Sequence, residues 1–284
     1  MDVNIFNTNT SRKITQRIQI GSDGKFYEGG DYRIGGVKGT ASQIKVSFVD
    51  PAGSMTSKLF PSEKRQEEII VTSTLGSFTT IATMIDVANP FVFIDAATMP
   101  LAWHSLDRND PAALELVEEI RCVAAVKMGL AKNEASAHLV RGTPKIAVVS
   151  PVNSPGGILE NGKGPADIYV TSYSMGKLHP SFQLTGAVCL GAACCIPGTV
   201  ASDITKRQAF NTPPGTPPGA SRDQVLELEL GGKIEQSVKL QHVSGDIEAY
   251  VTLKEDAAGE VVVENVAVSR TARRLFEGNV LISI

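Results

Sequence analysis

Residues 175–195 read MGKLHPSFQLTGAVCLGAACC. Lys177 and His179 come just before a Thr185-Gly186 step, and a run of small apolar residues with three cysteines follows. Thr185 can N-cap a helix running from Gly186 to Cys195, stopped by Pro197-Gly198. Every residue from Ala187 to Cys195 is small or apolar, so this helix has no polar face to turn to water. It has to be surrounded, and its small side chains suit close wrapping by strands. Its first N–H groups lack intrahelical acceptors and carry partial positive charge, so an anion at that end would satisfy both. Lys177 and His179, on the entering loop, complete a candidate carboxylate receptor. The competing reading is a core helix with an ordinary cap and Lys177 in solvent. Cys189 falls in or just past the first turn, where a thiol pKa can be lowered and proton transfer becomes available to it. Against that, free cysteine usually behaves as a small buried hydrophobe. Cys194 and Cys195 lie deeper and read as packing.

Outward from this helix the chain is mostly strand. KITQRIQI (13–20) alternates apolar and polar residues, GSDG turns, and KFYEGGDYRIGG and QIKVSFVDPAG continue the pattern. Residues 54–67 are a polar connection. EIIVTSTLGSFTTIATMID (68–86) predicts a hairpin pivoting near Gly76, and NPFVFIDA a buried strand after Asn89-Pro90. Residues 110–129 predict the clearest helix, with Asp110 as N-cap, Pro111 at the first position and Gly129 as the stop. Leu114, Val117, Ile120, Val123, Ala124 and Met128 form its apolar stripe, and Cys122 lies off centre with no assigned role. PKIAVVS (144–150) and ADIYVTSYS (166–174) read as strands. SPGGILENGKGP (154–165) and NTPPGTPPGAS (211–221) read as loops. VLELEL, KIEQSVKL, DIEAYVTL and EVVVENVAV supply four more strand candidates, and a basic turn at SRTARR leads into a last strand. Strand runs outnumber helices and mostly adjoin one another, which makes the fold class α+β.

The chain has 284 residues and a net charge of −3, with 20% charged residues. That length allows a large core, and that charge balance gives no reason to expect nucleic acid or an anionic membrane as partner. No apolar run reaches the roughly 18 residues of a spanning helix, and the opening residues lack a basic-then-apolar signal pattern. The expectation is a soluble, cytoplasmic protein. Three of its four cysteines fall within seven residues, which suits reduced thiols better than disulfides. CxxC spacing is absent, so a zinc site is not expected.

Two further stretches can carry chemistry. Asn89-Pro90 places an amide where two strands meet; it can bond a carboxylate or simply satisfy the turn. In QHVSGDIEA (241–249), His242, Ser244 and Gly245 interrupt a strand pattern. A serine hydroxyl and a glycine N–H in a turn can hold an oxyanion, with His242 as ligand or acid/base. A plain hairpin turn with an exposed histidine is the alternative.

Taken in series, SMGKLHPSFQLTGAVCLGAACCIPG, HVSGDIEA, IDVANPFVFIDA, TPKIAVVSP and VSRTARRLFEGNVLI resemble the PrpF family, which includes methylitaconate and aconitate isomerases and oxalomesaconate tautomerase. The resemblance implies the diaminopimelate-epimerase-like fold, in which two α+β domains each wrap a curved sheet around a central helix. It implies an isomerase that moves a proton and a double bond in an unsaturated di- or tricarboxylate, with no metal and no organic cofactor. The substrate-binding residues it implies are Asn89, Pro90, Ser174, Met175, Gly176, Lys177, His179, Thr185, Gly186, His242, Ser244 and Gly245. Lys177, His179 and Cys189 are the catalytic candidates on this chain. Family members open with a segment resembling R-G-G-T-S-K-G and later carry N-C-G-N, to which the proton-transfer lysine and cysteine are thought to belong. Neither string occurs here. Leu184 stands where the family often has glycine, Gln183 where epimerase relatives have a catalytic cysteine, and Val243 where proline is usual. Gln183 thereby disfavours a cysteine-dependent amino-acid racemase.

The expected organisation is a remnant of a first domain at 1–66, completed by a final strand at 273–284, and a second domain at 67–272 around a central helix at 185–195. The resemblance implies that about the first third of the family's length is absent from this chain. The alternative function is therefore an inactive, truncated carboxylate-binding relative or an incomplete gene product. An incomplete first domain would leave an apolar face on the strands of residues 1–50, an opening for homo-oligomer formation.

Overall fold

The computed structural model of the chain describes residues 1–74, 76–152, 166–210 (208–210 as backbone only), 233–279 and 281. The loop expected at 154–165, the Pro/Gly-rich stretch 211–221 and the strand expected at VLELEL (225–230) lie outside the described residues.

Twelve strands form one sheet among the described residues: β1 (Asp2–Asn7), β2 (Arg12–Arg17), β3 (Ile44–Val49), β4 (Glu67–Ser73), β5 (Gly76–Val87), β6 (Asn89–Asp95), β7 (Lys145–Ser150), β8 (Ile168–Ser174), β9 (Lys177–Leu178), β10 (Lys233–His242), β11 (Gly245–Glu255) and β12 (Val261–Arg270). The helices are α1 (Leu101–Ser105), α2 (Pro111–Lys127), α3 (Glu134–Leu139), α4 (Leu184–Cys195) and α5 (Val200–Phe210). The strand order is β1-β2-β3-β12-β11-β10-β8-β7-β6-β5-β4, with the short β9 paired to β8. Pairing is antiparallel except at β8/β10 and β6/β7.

The sheet curls until its two arms meet. Just past β3, Ala52 bridges Val87 at the end of β5. Ala88 N–H donates to Pro51 O and Gly53 N–H to Asp86 O, both at 2.8 Å. The strands from β3 round to β5 thus form a ring, and α4 fills it. Asp86 holds the closure. Its buried carboxylate accepts from Ser54 Oγ (2.5 Å), Met55 N (2.8 Å), Thr56 N (2.8 Å) and Thr56 Oγ1 (2.9 Å). A carboxylate buried without a cation is tolerable when its lone pairs are used in this way.

The reason α4 is apolar all round is now visible. Residues Gly186–Cys194 are buried, in contact with strands β5 and β6 on one arm and β10, β11 and β12 on the other. Small side chains set the distance: a Cβ on Gly191 would lie 2.7 Å from Ala249 Cβ, and one on Gly186 would meet the Phe182 and Phe91 rings at 2.7 and 2.8 Å. Among the described residues no single helix is long and apolar enough to cross a membrane.

Strands β5 and β6 are covered on both faces. Ile85, Phe91 and Phe93 pack toward α4, while Met84, Val92 and Ile94 pack toward α2. Each face follows the period-2 alternation, which is why this stretch reads as one continuous apolar run. The ends of α2 match the sequence: Asp110 Oδ1 accepts from Ala112 N at 2.9 Å, Pro111 opens the helix, and Gly129 follows it at φ +72°.

Four expectations need correction. Thr185 is not the N-cap of α4; the helix starts at Leu184 with Gln183 as N-cap, and no side chain caps it. KFYEGGDYRIGG forms isolated bridges at Phe26 and Tyr32 and no strand. The six glycines among residues 21–36 weaken any continuous ladder there. Residues 271–279 hold no regular structure, so the described part of the final strand at 273–284 does not form. Helices α1, α3 and α5 were not anticipated. Strands β1–β3 join the common sheet through β3/β12, with Ser47 opposite Ala267. At its outer edge Phe6 is 65% exposed.

Candidate functional site

The loop from β9 into α4 runs alongside the β10/β11 hairpin, and a cleft of about 620 Å³ opens between them and residues 34–37. His179, Gln183, His242, Ser244 and Arg270 line it. Three approaches build this wall. His179 N–H donates to Ser172 O at 2.8 Å, Ser244 Oγ donates to Pro180 O, and Gly35 lies against Gly245 so closely that a Cβ on Gly245 (φ +142°) would sit 2.5 Å from Gly35 Cα. Only glycine accommodates both that approach and that dihedral.

The donors on the wall are fixed by what their other ends do. His242 is 4% exposed, and its Nδ1 accepts the Ser244 N–H at 3.2 Å. In the neutral ring the proton is therefore on Nε2, which is buried and has no partner among the described residues. Burial, then the positive charge of Arg270, pulls the His242 pKa down to about 4, against a smaller opposing pull from Asp246. Gln183 Oε1 accepts from Ser172 Oγ at 2.6 Å, while its Nε2 is buried and unpartnered. Arg270 is half-buried at the end of β12; among the described residues its guanidinium reaches only Ser269 O, at 3.4 Å, and pairs with no carboxylate. Burial lowers its pKa from the usual arginine value. An unpaired cation beside neutral N–H donors favours an anion rich in acceptor oxygens.

The other expected residues separate into distinct places. Thr185 lines a smaller hollow with Arg12, Pro51 and Ala88, on the same side as Asn89-Pro90 at the head of β6. Ser174, Met175 and Gly176 border a narrow hollow with Glu118, Arg121, Arg141 and Lys145. Gly186 is buried under Phe182 and Phe91. Lys177 is exposed on β9 and does not line the cleft. Cys189 faces the core: its Sγ is 3.7 Å from Ile85 O, and burial raises its pKa well above the ordinary thiol value. Desolvation outweighs the helix-end effect at this position, so Cys189 is corrected to a packing residue. Of the three catalytic candidates only His179 reaches the cleft, with Nδ1 against Ser181 O (2.7 Å) and Ser181 N (3.2 Å).

A second constellation lies away from this cleft. Glu118, Cys122 and His138 bring ligand-type atoms within 4.8 Å of one another. Both Glu118 oxygens already accept from Arg121, at 2.9 and 2.8 Å, and burial pushes the Cys122 thiol up to about 11. Arg121 also donates to Ala137 O at 2.8 Å. These groups fit a clamp between α2 and α3 better than a cation site.

A curved sheet wrapped around one small-residue helix, with a donor-lined cleft at the helix entrance, is the diaminopimelate-epimerase-like α+β architecture. The model of the PrpF protein family matches residues 1–283, and the chain belongs to this family. It is 31% identical to the 2-methyl-aconitate isomerase of Shewanella oneidensis over 97% of this chain and 64% of that protein. It is 26% identical to the 3-methylitaconate isomerase of Eubacterium barkeri over 98% of this chain and 66% of that one. The crystal structure of a methylitaconate-delta-isomerase superposes with a TM-score of 0.67 at 28% identity, covering 98% of this chain and 65% of that one. The chain thus spans 64–66% of the lengths of these relatives.

Sequence reasoning missed Arg270, Gln183 and Ser172 as parts of the site. Arg270 was read as the start of a basic turn, and Gln183 only as a lost cysteine. A polar residue inside ADIYVTSYS, such as Ser172, could have been noticed as an inward-facing break in a buried strand.

Proposed function

We propose that this chain serves an isomerase that shifts a proton and a double bond in an unsaturated di- or tricarboxylate. The observation that carries this reading is the Arg270 guanidinium, which pairs with no carboxylate among the described residues, on the wall of one cleft with the neutral His242. Arg270 neutralises a substrate carboxylate. A carbon acid next to that carboxylate then loses its proton more readily, because negative charge delocalises onto oxygens already facing N–H donors. His242 stays neutral at physiological pH and donates from Nε2 to such an oxygen. His179, also on the cleft wall, takes the proton from one carbon and returns it to the carbon at the other end of the shifted double bond. The names of the relatives support unsaturated carboxylates as the substrate class.

The test is incubation with cis-aconitate or 3-methylitaconate in deuterium oxide, read by proton NMR, together with titration calorimetry. Deuterium enters the carbon skeleton on this reading. Arg270→Met weakens binding by about ten- to a hundred-fold, the range for a hydrogen bond to a charged group. Lys177→Ala leaves binding unchanged. Absence of both exchange and binding across a panel of such acids overturns the proposal.

A further inference from the structure

We infer that Gln183 is a specificity-determining donor to the bound polycarboxylate, and that Ser172 is the positioning residue that aims it. The inference rests on the function proposed above and deepens it. A glutamine amide can ordinarily present either end to a ligand. In this structure Ser172, buried on β8, donates to Oε1 at 2.6 Å. The NH2 end is what remains, and it has no acceptor among the described residues. His242, buried on the wall of the same cleft, independently carries an Nε2 with no partner among the described residues. Two donors and a guanidinium without acceptor or carboxylate among the described residues, on residues that line one cleft, favour an anion with several carboxylate oxygens. Gln183 is also held at its backbone, since its carbonyl accepts the Ala187 N–H at 2.9 Å as α4 begins. The amide is therefore pre-aimed, and little ordering remains to oppose binding.

Binding of propane-1,2,3-tricarboxylate, a saturated and unreactive probe, measured by calorimetry separates the possibilities. Gln183→Met keeps the side-chain length without donors and weakens binding about ten-fold. Gln183→Glu, which Ser172 can still bond, sets a carboxylate against the anion and weakens it more, by about a hundred-fold. Ser172→Ala frees the amide to turn and weakens binding about three-fold, yet adds nothing in the Gln183→Met background, because the two act through one bond. Circular dichroism of each variant reports whether α4 is intact; if Gln183→Met does not fold, Gln183→Glu and Ser172→Ala carry the test. Equal affinity of the wild type and the Gln183 variants, with Arg270→Met still weakened, overturns the inference and leaves the proposed function standing. Failure of the wild type to bind overturns both.

Discussion

Replacing Asp86 by alanine should open the ring where residues 51–59 close it. Four donors converge on this carboxylate, at 2.5, 2.8, 2.8 and 2.9 Å. Two of them, the N–H groups of Met55 and Thr56, belong to the backbone and cannot turn elsewhere. Leaving a partly buried N–H without an acceptor costs about 1–3 kcal/mol. The two hydroxyls recover more easily; Thr56 Oγ1 already reaches Lys58 O at 3.0 Å. The cavity of the lost carboxyl is small and contributes little, so the total for Asp86→Ala is about 3–5 kcal/mol. Asp86→Asn keeps one acceptor oxygen and the shape but loses charge assistance, and should cost about 1–2 kcal/mol. Urea denaturation measures both, and amide hydrogen exchange at Met55 and Thr56 locates the effect. The opened variant exchanges these two amides faster while α2 stays protected. An alanine variant within about 1 kcal/mol of wild type, the resolution at which one unsatisfied donor is detectable, would refute the hydrogen-bond account of closure.

Two further outcomes follow from burial. His242 has its pKa lowered from 6.5 to about 4, so the unfolded chain binds a proton that the folded chain refuses. The stability tied to neutral His242 is thus present above pH 6.5 and is lost as pH falls from there to about 4, a span worth about 3 kcal/mol. His242→Gln should flatten that part of the stability–pH curve measured by denaturation, and an unchanged slope argues against it. In α4, Gly191→Ala places its new Cβ 2.7 Å from Ala249 Cβ. Overpacking of about 1–3 kcal/mol should outweigh a helix-propensity gain of about 1 kcal/mol. The double variant with Ala249→Gly should regain most of the loss in the same denaturation assay, and a single variant more stable than wild type contradicts the tight-wrapping account.

Features carried by consecutive residues were legible in the sequence. Asp110, Pro111 and Gly129 mark the ends of α2 through local bonding and dihedrals, and the absence of any polar face on residues 187–195 implies an enclosing sheet. The hairpin pivot at Gly76 is equally local. What escaped notice depends on partners far along the chain. Asp86 looks like any acid at the end of a strand, since its donors come from residues 54–56, about thirty positions away. The start of α4 was placed two residues late because Gln183 caps without a side-chain bond. The cleft was half legible: His179, His242 and Ser244 belong to local motifs, whereas Arg270 joins them only because β12 runs next to β11. Cys189 and Lys177 attracted attention by residue type, and three-dimensional placement turned one into the core and the other to solvent.

The pairing of β3 with β12 sets the order in which this molecule can be made. Val49 lies opposite Asn265, so the ring cannot close until nearly the whole chain is available. Contacts of such long range fold slowly, because the connecting chain must be ordered before they contribute. During synthesis, β3 would carry an unpaired edge and an apolar face bearing Val46 and Phe48 for the entire time that β4 to β11 are being added. That interval is when the chain is most exposed to aggregation and to mispairing, and most dependent on chaperones.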